Sequence, residues 1–369
     1  MSKKTYSFTT AATAADARFE AQRIAFAPVV FQVVQVLRRE GLLRTLVAAR
    51  DWVRHNELIA ASRLSDYAIT VLLETAYAAG IVDRVEQAHL EDRDVRWRAT
   101  MVGRVIERDP LVGINMDFVG DVCYRSLAHL GEALRSGTPA GLAEFGPWKT
   151  FYEGMAGLPE PARASWFAYD HFYSDSAFPD ALDALALCGA THIADVGANT
   201  GKFAVAFLQR FPKGRITLCD LPQQLDLARA YLEHRRLSLD RVTFYPCDLL
   251  QPMVSLPSGP VAPDAFWMSQ FLCCFSESQV VSILSRAATA TRKGGSIFVL
   301  DTFWDAQRYD AAAYCLINTS PYFATIANGN SRMYRLDTLV ELAGQAGLRP
   351  QETWHHLGQC HTLVQFQSG

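Results

Sequence analysis

The stretch Thr191-His-Ile-Ala-Asp195-Val-Gly197-Ala-Asn199-Thr-Gly201 decides how the chain is read. A short apolar run ends in an acid, and a Gly-x-Asn-x-Gly turn opens directly into an amphipathic segment, Phe203–Phe211. That is the pattern of a first β-strand passing into the first helix of a doubly wound sheet, where small residues let a ligand approach the backbone. The spacing lacks the third glycine of the Gly-x-Gly-x-x-Gly dinucleotide fingerprint. Asn199 stands where the middle glycine usually does, a place asparagine can fill because it tolerates the left-handed region.

Two later segments, Arg215-Ile-Thr-Leu-Cys-Asp220-Leu-Pro222 and Val242-Thr-Phe-Tyr-Pro-Cys-Asp248, also read as apolar strands closed by an acid. Asp195, Asp220 and Asp248 therefore fall at the ends of successive strands around the turn, with Asp220 where a ribose diol would lie. This arrangement points to an S-adenosylmethionine (SAM) pocket. The bland alternative is an ordinary α/β turn with surface acids.

The 369 residues suffice for two or three domains with a buried core. A net charge of −3 and a pI near 6.3 make no electrostatic case for nucleic acid or an anionic membrane. The eight cysteines, at 123, 188, 219, 247, 273, 274, 315 and 360, include no Cys-x-x-Cys pair, so neither a disulfide framework nor a zinc site is expected. No His/Asp/Glu cluster has metal-ligand spacing. Met1–Ala15 has no apolar core and Ile24–Leu37 is interrupted by Pro28, Gln32 and Gln35, so neither a signal peptide nor a membrane span is expected. A soluble cytoplasmic protein is the expectation.

Taken in order, residues 1–20 read as a leader or short helix and Ile24–Arg39 as a helix with an apolar stripe. Glu57–Leu64 is short and amphipathic. Ser65 caps a helix with Ile69, Leu72, Leu73 and Ala76 on one face, stopped by Gly80. Ile81–Val85 and Val95–Thr100 read as strands joined by a charged turn, Gln87–Asp94. Helix, helix and strand pair make a winged helix, but Asp66, Tyr67, Thr70 and Glu74 along the second helix offer no basic stripe for DNA. Dimerisation through the Ile24–Leu37 face is the stronger expectation.

Asp117–Leu134 and Pro161–Leu187 read as mostly helical, the latter broken at Pro179. The aromatics between Phe145 and Phe178 pack a core, wall a pocket for a flat substrate, or do both. From 191 onward strands and helices alternate, with a final strand pair near Gln351–His356 and Cys360–Gln367. The expected fold is α/β: a Rossmann-like, mostly parallel sheet with an antiparallel edge, preceded by a mainly helical winged-helix domain. The expected boundaries are 1–110 for dimerisation, 111–187 for a helical linker and substrate cover, and 188–369 for the SAM-binding domain.

The order of these motifs resembles, over nearly the whole chain, the two-domain small-molecule O-methyltransferases of caffeate and polyketide type. Asp195-Val-Gly-Ala-Asn-Thr-Gly201 is similar to the family's Asp-Val-Gly-Gly-Gly-Thr-Gly, Asp220-Leu-Pro222 to its ribose-binding Asp-Leu-Pro, and Cys247-Asp248-Leu249 to its adenine-side motif. Phe145-Gly-Pro-Trp148 and Phe151-Tyr-Glu-Gly154 are similar to its linker. The resemblance implies SAM as cofactor, S-adenosylhomocysteine as product and a homodimer. It also implies cofactor contacts from Asp195, Gly197, Asn199, Gly201, Asp220, Leu221, Asp248 and Leu249, with Ser269 in place of a common lysine.

One departure matters most. Where the family has Leu-His-Asp-Trp-Ser-Asp, this chain has Leu272-Cys-Cys-Phe-Ser-Glu277, so Cys273 takes the place of the histidine base. An apolar site opposes a thiolate, which makes a pocket-lining role for Cys273 the stronger reading. Asp301 retains a second family acid, and Met333 or Tyr334 replaces another. His171, on the helix that covers the substrate in this family, is the first candidate base; His355 and His356 are weaker ones. Phe172, Tyr173, Trp304, Tyr322 and Met333 are the expected substrate contacts.

Tyr169-Asp-His-Phe-Tyr-Ser-Asp-Ser176, together with Phe271-Leu-Cys-Cys-Phe-Ser276, also resembles a bacterial subgroup of aryl-polyene and phenolic pigment pathways, implying a phenolic acyl acceptor, free or carrier-bound. Methylation on oxygen is favoured over ring carbon. Two alternatives stand: a SAM-binding enzyme of this fold with other chemistry (decarboxylase, hydroxylase or pericyclase), and a winged-helix regulator.

Overall fold

The computed structural model describes residues 6–8, 11–85 and 95–368; the turn expected at Gln87–Asp94 lies outside them. The chain divides into two compact units, Thr9–Asp121, and Val122–Gly369 together with Met1–Phe8. Most of the segment expected as a separate linker, 111–187, thus belongs to the unit that holds the large sheet.

The smaller unit begins with α1 (Ala14–Arg39), which starts at Ala14 rather than Ile24. The reason is a capping box: the Thr13 hydroxyl accepts from the Asp16 N–H while the Asp16 carboxylate accepts from the Thr13 N–H. There follow α2 (Leu42–Ala48), β1 (Val53–Arg54), α3 (His55–Ala60), α4 (Asp66–Ala78), β2 (Val82–Val85), β3 (Arg96–Ala99), α5 (Met101–Arg108) and α6 (Pro110–Phe118). The Ser65 hydroxyl caps α4 by accepting from the Ala68 N–H at 3.2 Å. The three strands form an antiparallel sheet in the order β1-β3-β2, which completes a winged-helix arrangement around Leu37, Leu43, Leu58, Leu73 and Trp97. β1, only two residues long, is too short to show a period and was not expected. Phe19, Ile24, Phe26 and Val29 are large apolar side chains left exposed along α1.

The larger unit opens with α7 (Leu130–Ser136), α8 (Phe151–Gly154), α9 (Ala162–Asp175) and α10 (Phe178–Leu187). Pro179 sits in the first turn of α10, where its missing N–H is harmless, so the break falls at Ser176–Ala177 ahead of the proline. The alternating part runs β4 (His192–Val196), α11 (Lys202–Arg210), β5 (Arg215–Asp220), α12 (Pro222–His234), β6 (Val242–Pro246), β7 (Ala265–Ser269), α13 (Glu277–Ala290) and β8 (Ser296–Asp301). It ends with α14 (Asp310–Tyr322), α15 (Leu336–Gln345), β9 (Leu348–Leu357) and β10 (His361–Ser368).

The sheet order is β6-β5-β4-β7-β8-β10-β9, parallel through β8 and antiparallel at β10 and β9. Strand order reverses beside β4, whose neighbours are β5 and β7, and ligands of open α/β sheets bind outside the carboxyl ends at such a point. Apolar clusters cover both faces, around Phe266, Val299 and Phe366 on one and Phe207, Trp267 and Leu363 on the other. α14 was not foreseen. It carries Pro321 in its last turn and passes into a π-helical turn, Phe323–Ala327, as a helix does when one backbone donor is missing.

Candidate active site

A cavity of about 460 Å³ lies at the carboxyl ends of β4, β5, β7 and β8, lined there by Asp195, Asp220, Ser269 and Asp301. The turn after β4 forms one wall. Gly197 has φ +79°, and a Cβ added there would run into the Phe271 ring, so only glycine lets this turn and ring pack together. Asn199 takes the left-handed region at φ 49°. Its N–H donates to Asp220 Oδ2 at 2.8 Å, and the Leu221 N–H donates to Oδ1 at 2.7 Å. Burial lifts the Asp220 carboxyl to about 6 against the pull of these two donors. Asp195, deeply buried with Asp220 nearby, is lifted to about 8. Asp248 accepts from the Leu250 N–H and the Gln251 amide, both at 3.0 Å.

The other end of the cavity is aromatic. Trp166, Tyr169 and Tyr173 recur at helical spacing on α9 and face it, joined by Tyr152, Tyr322 and Phe323. Their polar tips pair with neighbours: Trp166 Nε1 donates to the Tyr322 hydroxyl at 2.9 Å, Tyr152 donates to Cys274 Sγ at 2.8 Å, and Tyr169 and Thr319 share a bond of 3.1 Å. The Asn328 amide donates to the Cys274 carbonyl. Burial lifts the Asp301 carboxyl to about 7, opposed by hydrogen bonds from the Thr302 N–H and from Cys273. A bond to Cys274, then burial, push the Cys273 thiol well above its ordinary value, so it is a neutral donor to Asp301 and no thiolate.

Of the residues singled out in the sequence, Asp195, Gly197, Asn199, Asp220, Leu221, Asp248, Leu249, Ser269, His171, Cys273, Asp301, Tyr173, Tyr322 and Met333 line this cavity. Gly201 does not; it caps α11 against Ala228. Phe172 lies off the α9 stripe and packs edge-on against Tyr173, while Trp304 stacks under the Arg335 guanidinium. His355 and His356 sit on β9 away from the cavity. His171 reaches Thr200 Oγ1 at 3.3 Å and stacks on Phe167, and burial beside Lys202 lowers it to about 4. A group with that pKa is a weak base at neutral pH, which corrects its standing as first candidate. Tyr334 is not a cavity residue: its hydroxyl donates to the Phe275 carbonyl at 2.6 Å.

Sequence reasoning missed Asp170, Gln270 and His361. Gln270 holds a left-handed φ of 48° just past β7; its amide donates to Asp170 Oδ1 at 3.3 Å, and its carbonyl faces His361 Nε2 at 2.8 Å. Among the described residues no helix is long and apolar enough to cross a membrane, and no group of His, Cys, Asp and Glu could hold a metal ion.

This geometry has a counterpart among known proteins. Residues 173–349 match the family model of the O-methyltransferase domain, and residues 18–89 that of the Dimerisation2-like domain. The chain carries an O-methyltransferase domain behind a Dimerisation2-like domain. The residues matched by the O-methyltransferase domain hold the parallel strands β4 to β8 and most of the cavity lining, and that family is SAM-dependent. The chain is 29% identical to aclacinomycin 10-hydroxylase RdmB of Streptomyces purpurascens over 63% of its own length and 59% of that protein's. It is 25% identical to the O-methyltransferase lcsG of Purpureocillium lilacinum over 68% of its length and 57% of the relative's. The chain thus spans under two thirds of the length of the curated relatives it matches. Its fold is shared with the O-methyltransferase NcsB1 from neocarzinostatin biosynthesis, solved with SAM and 2-hydroxy-5-methyl naphthoic acid, at a TM-score of 0.64 and 20% identity over 93% of this chain and 96% of that one.

Proposed function

We propose that this chain is a SAM-dependent methyltransferase of bacterial secondary metabolism that methylates a phenolic or other aromatic small molecule, on oxygen ahead of ring carbon, as a cytoplasmic homodimer. The observation that carries the reading is one cavity in which the strand-end acids Asp195 and Asp220 are continuous with aromatic walls and the Asp301 carboxyl. The residues fit the cofactor. Asp195 Oδ2, Asn199 Oδ1 and Ser269 Oγ are buried polar atoms with no hydrogen-bond partner among the described residues, and a polar nucleoside-bearing ligand would satisfy them.

Bound there, SAM supplies a methyl group already activated on a sulfonium centre. In this reading Asp220 takes the ribose diol and Asp248 and Leu249 the adenine side. The aromatic walls hold a flat acceptor and exclude water. Asp301 accepts the phenol proton, because its pKa near 7 keeps a working fraction ionised at neutral pH and Cys273 steadies the ionised form. NcsB1, with a hydroxynaphthoic acid bound, supports an aromatic acceptor, and the Dimerisation2-like domain with the exposed apolar side chains of α1 supports the dimer.

A second reading rests on Cys273, which is no base, and on the likeness to a relative named as a hydroxylase: an enzyme of this fold that keeps SAM bound and does other chemistry. Incubating the protein with SAM and a panel of phenols decides between them. Gain of one CH2 in product mass with release of S-adenosylhomocysteine supports methylation; gain of an oxygen or loss of CO2 with SAM intact supports the second reading.

A further inference from the structure

Asp170 projects from α9 into the cavity and touches both loops that flank the point where strand order reverses. Asn199 Nδ2, in the turn after β4, donates to its Oδ2 at 3.0 Å. Gln270 Nε2, just past β7, donates to its Oδ1 at 3.3 Å. A carboxylate offers about four lone-pair sites, so each oxygen retains room for a further donor.

The orientation of this carboxylate is set from behind. His361 on β10 is fully buried, and its Nδ1 has no hydrogen-bond partner among the described residues. The proton of the neutral ring is therefore on Nε2, which donates to Gln270 Oε1 at 2.8 Å and turns the Gln270 amide toward Asp170. Gln270, which holds both partners, has a positive φ of 48°, and backbone conformations of this kind cluster at ligand clamps.

Asp220 fixes the ribose end of the proposed cofactor toward β5. The opposite end, over β4 and β7, is met by the Asp170 carboxylate and the unpartnered Asn199 Oδ1, which are all acceptors. We propose that Asp170 and Asn199 bind the ammonium group of the cofactor's amino-acid tail, with Gln270 and His361 as positioning residues. This rests on the reading of the cavity as a SAM site. A compact ammonium with three donors and a positive charge matches such a set, while a carboxylate would be repelled by it. Burial, with Asp175 nearby, lifts Asp170 to about 7 against the pull of Lys202 and of the hydrogen bonds from Gln270 and Asn199.

Calorimetry with three probes tests this. SAM carries ammonium and sulfonium, S-adenosylhomocysteine carries the ammonium alone, and 5′-methylthioadenosine carries neither. Asp170→Asn should weaken SAM and S-adenosylhomocysteine alike, roughly ten- to a hundredfold for a charged hydrogen bond, and leave methylthioadenosine unchanged. Gln270→Met should show the same pattern with a smaller loss. On the wild-type protein, a deaminated analogue of S-adenosylhomocysteine should lose a similar factor, which needs no variant to fold. Loss of SAM alone, equal loss of all three probes, or an unaffected deaminated analogue would each overturn the assignment. If the wild type binds methylthioadenosine and Asp170→Asn leaves S-adenosylhomocysteine unchanged, only the role of Asp170 falls. If the wild type binds none of the probes, the cofactor reading falls with it.

Discussion

The backbone N–H of Asn199 meets the Asp220 carboxylate at 2.8 Å, so the turn that follows β4 is fastened to the end of β5. One acid therefore both shapes the turn and faces the cavity. Asp220→Ala removes the acceptor of two backbone donors along with the diol contact of the proposed cofactor. SAM affinity should fall at least a hundredfold, taking roughly 1.5–3 kcal/mol for each hydrogen bond to a charged group. Calorimetric titration with SAM reads it directly; unchanged binding would remove Asp220 from the site.

Asp301, lifted to about 7 by burial, has to be ionised to take a proton. The rate constant kcat/KM should rise with pH through about 7 and level off above it. Asp301→Asn should abolish this limb and lower the single-turnover rate of methyl transfer by roughly 10²–10⁴. A profile that keeps its limb in the variant would assign the proton transfer elsewhere.

Cys273 separates a donor from a base. Held neutral by Cys274, burial and Asp301, it should be dispensable as a base: Cys273→Ala should keep the single-turnover rate within about tenfold while shifting the pH limb upward, since Asp301 loses a donor to its ionised form. A loss as large as that of Asp301→Asn would mean that the thiol itself carries the proton.

Asp195 ties stability to pH. Its folded-state pKa of about 8 lies above the unfolded value of 3.8, so the folded form holds a proton that the unfolded chain has lost. Stability then declines as pH rises through about 8. Asp170 and Asp301, lifted to about 7, add to the decline up to that pH, so the Asp195 share is read above it, where His171 and His361, with lowered values, are largely neutral in both states. The thermal midpoint should fall between pH 7 and 8, and Asp195→Asn should flatten that slope.

Gly197→Ala adds a Cβ at φ +79° against the Phe271 ring. Left-handed strain alone costs roughly 1–2 kcal/mol, and the ring must move as well. Cofactor binding should be lost before the fold is. Phe271→Ala in the same chain should restore part of it, as measured by calorimetry beside a thermal melt.

Much of this site lay open in the sequence because its signals are local. Asp195 and Asp220 close short apolar strands, and Asn199 occupies a left-handed slot in the Gly197–Gly201 turn, so each can be read from its neighbours. Helix α4 was legible for the same reason, since its cap and apolar face lie within one segment. What escaped is held together across the fold. Gln270 meets Asp170 across 100 residues and His361 across 91, and no periodicity links them. Two expected substrate contacts lie outside the cavity lining for reasons of geometry rather than type: Phe172 is off the inward stripe of α9, and Trp304 lies against Arg335. His171 lines the cavity from α9, but its lowered pKa comes from burial beside Lys202, which is invisible without the fold.

Helix α9 is clasped to the turn after β4 and the start of α11 by Asp170 on Asn199, His171 on Thr200 and Asp175 on Lys202, the last at 2.6 Å. A ligand lying beneath that helix leaves only when several clasps open together, and such openings run on microsecond to millisecond timescales or slower. Turnover should therefore be paced by escape of the spent cofactor rather than by bond making. A first cycle completed faster than those that follow would be its kinetic signature.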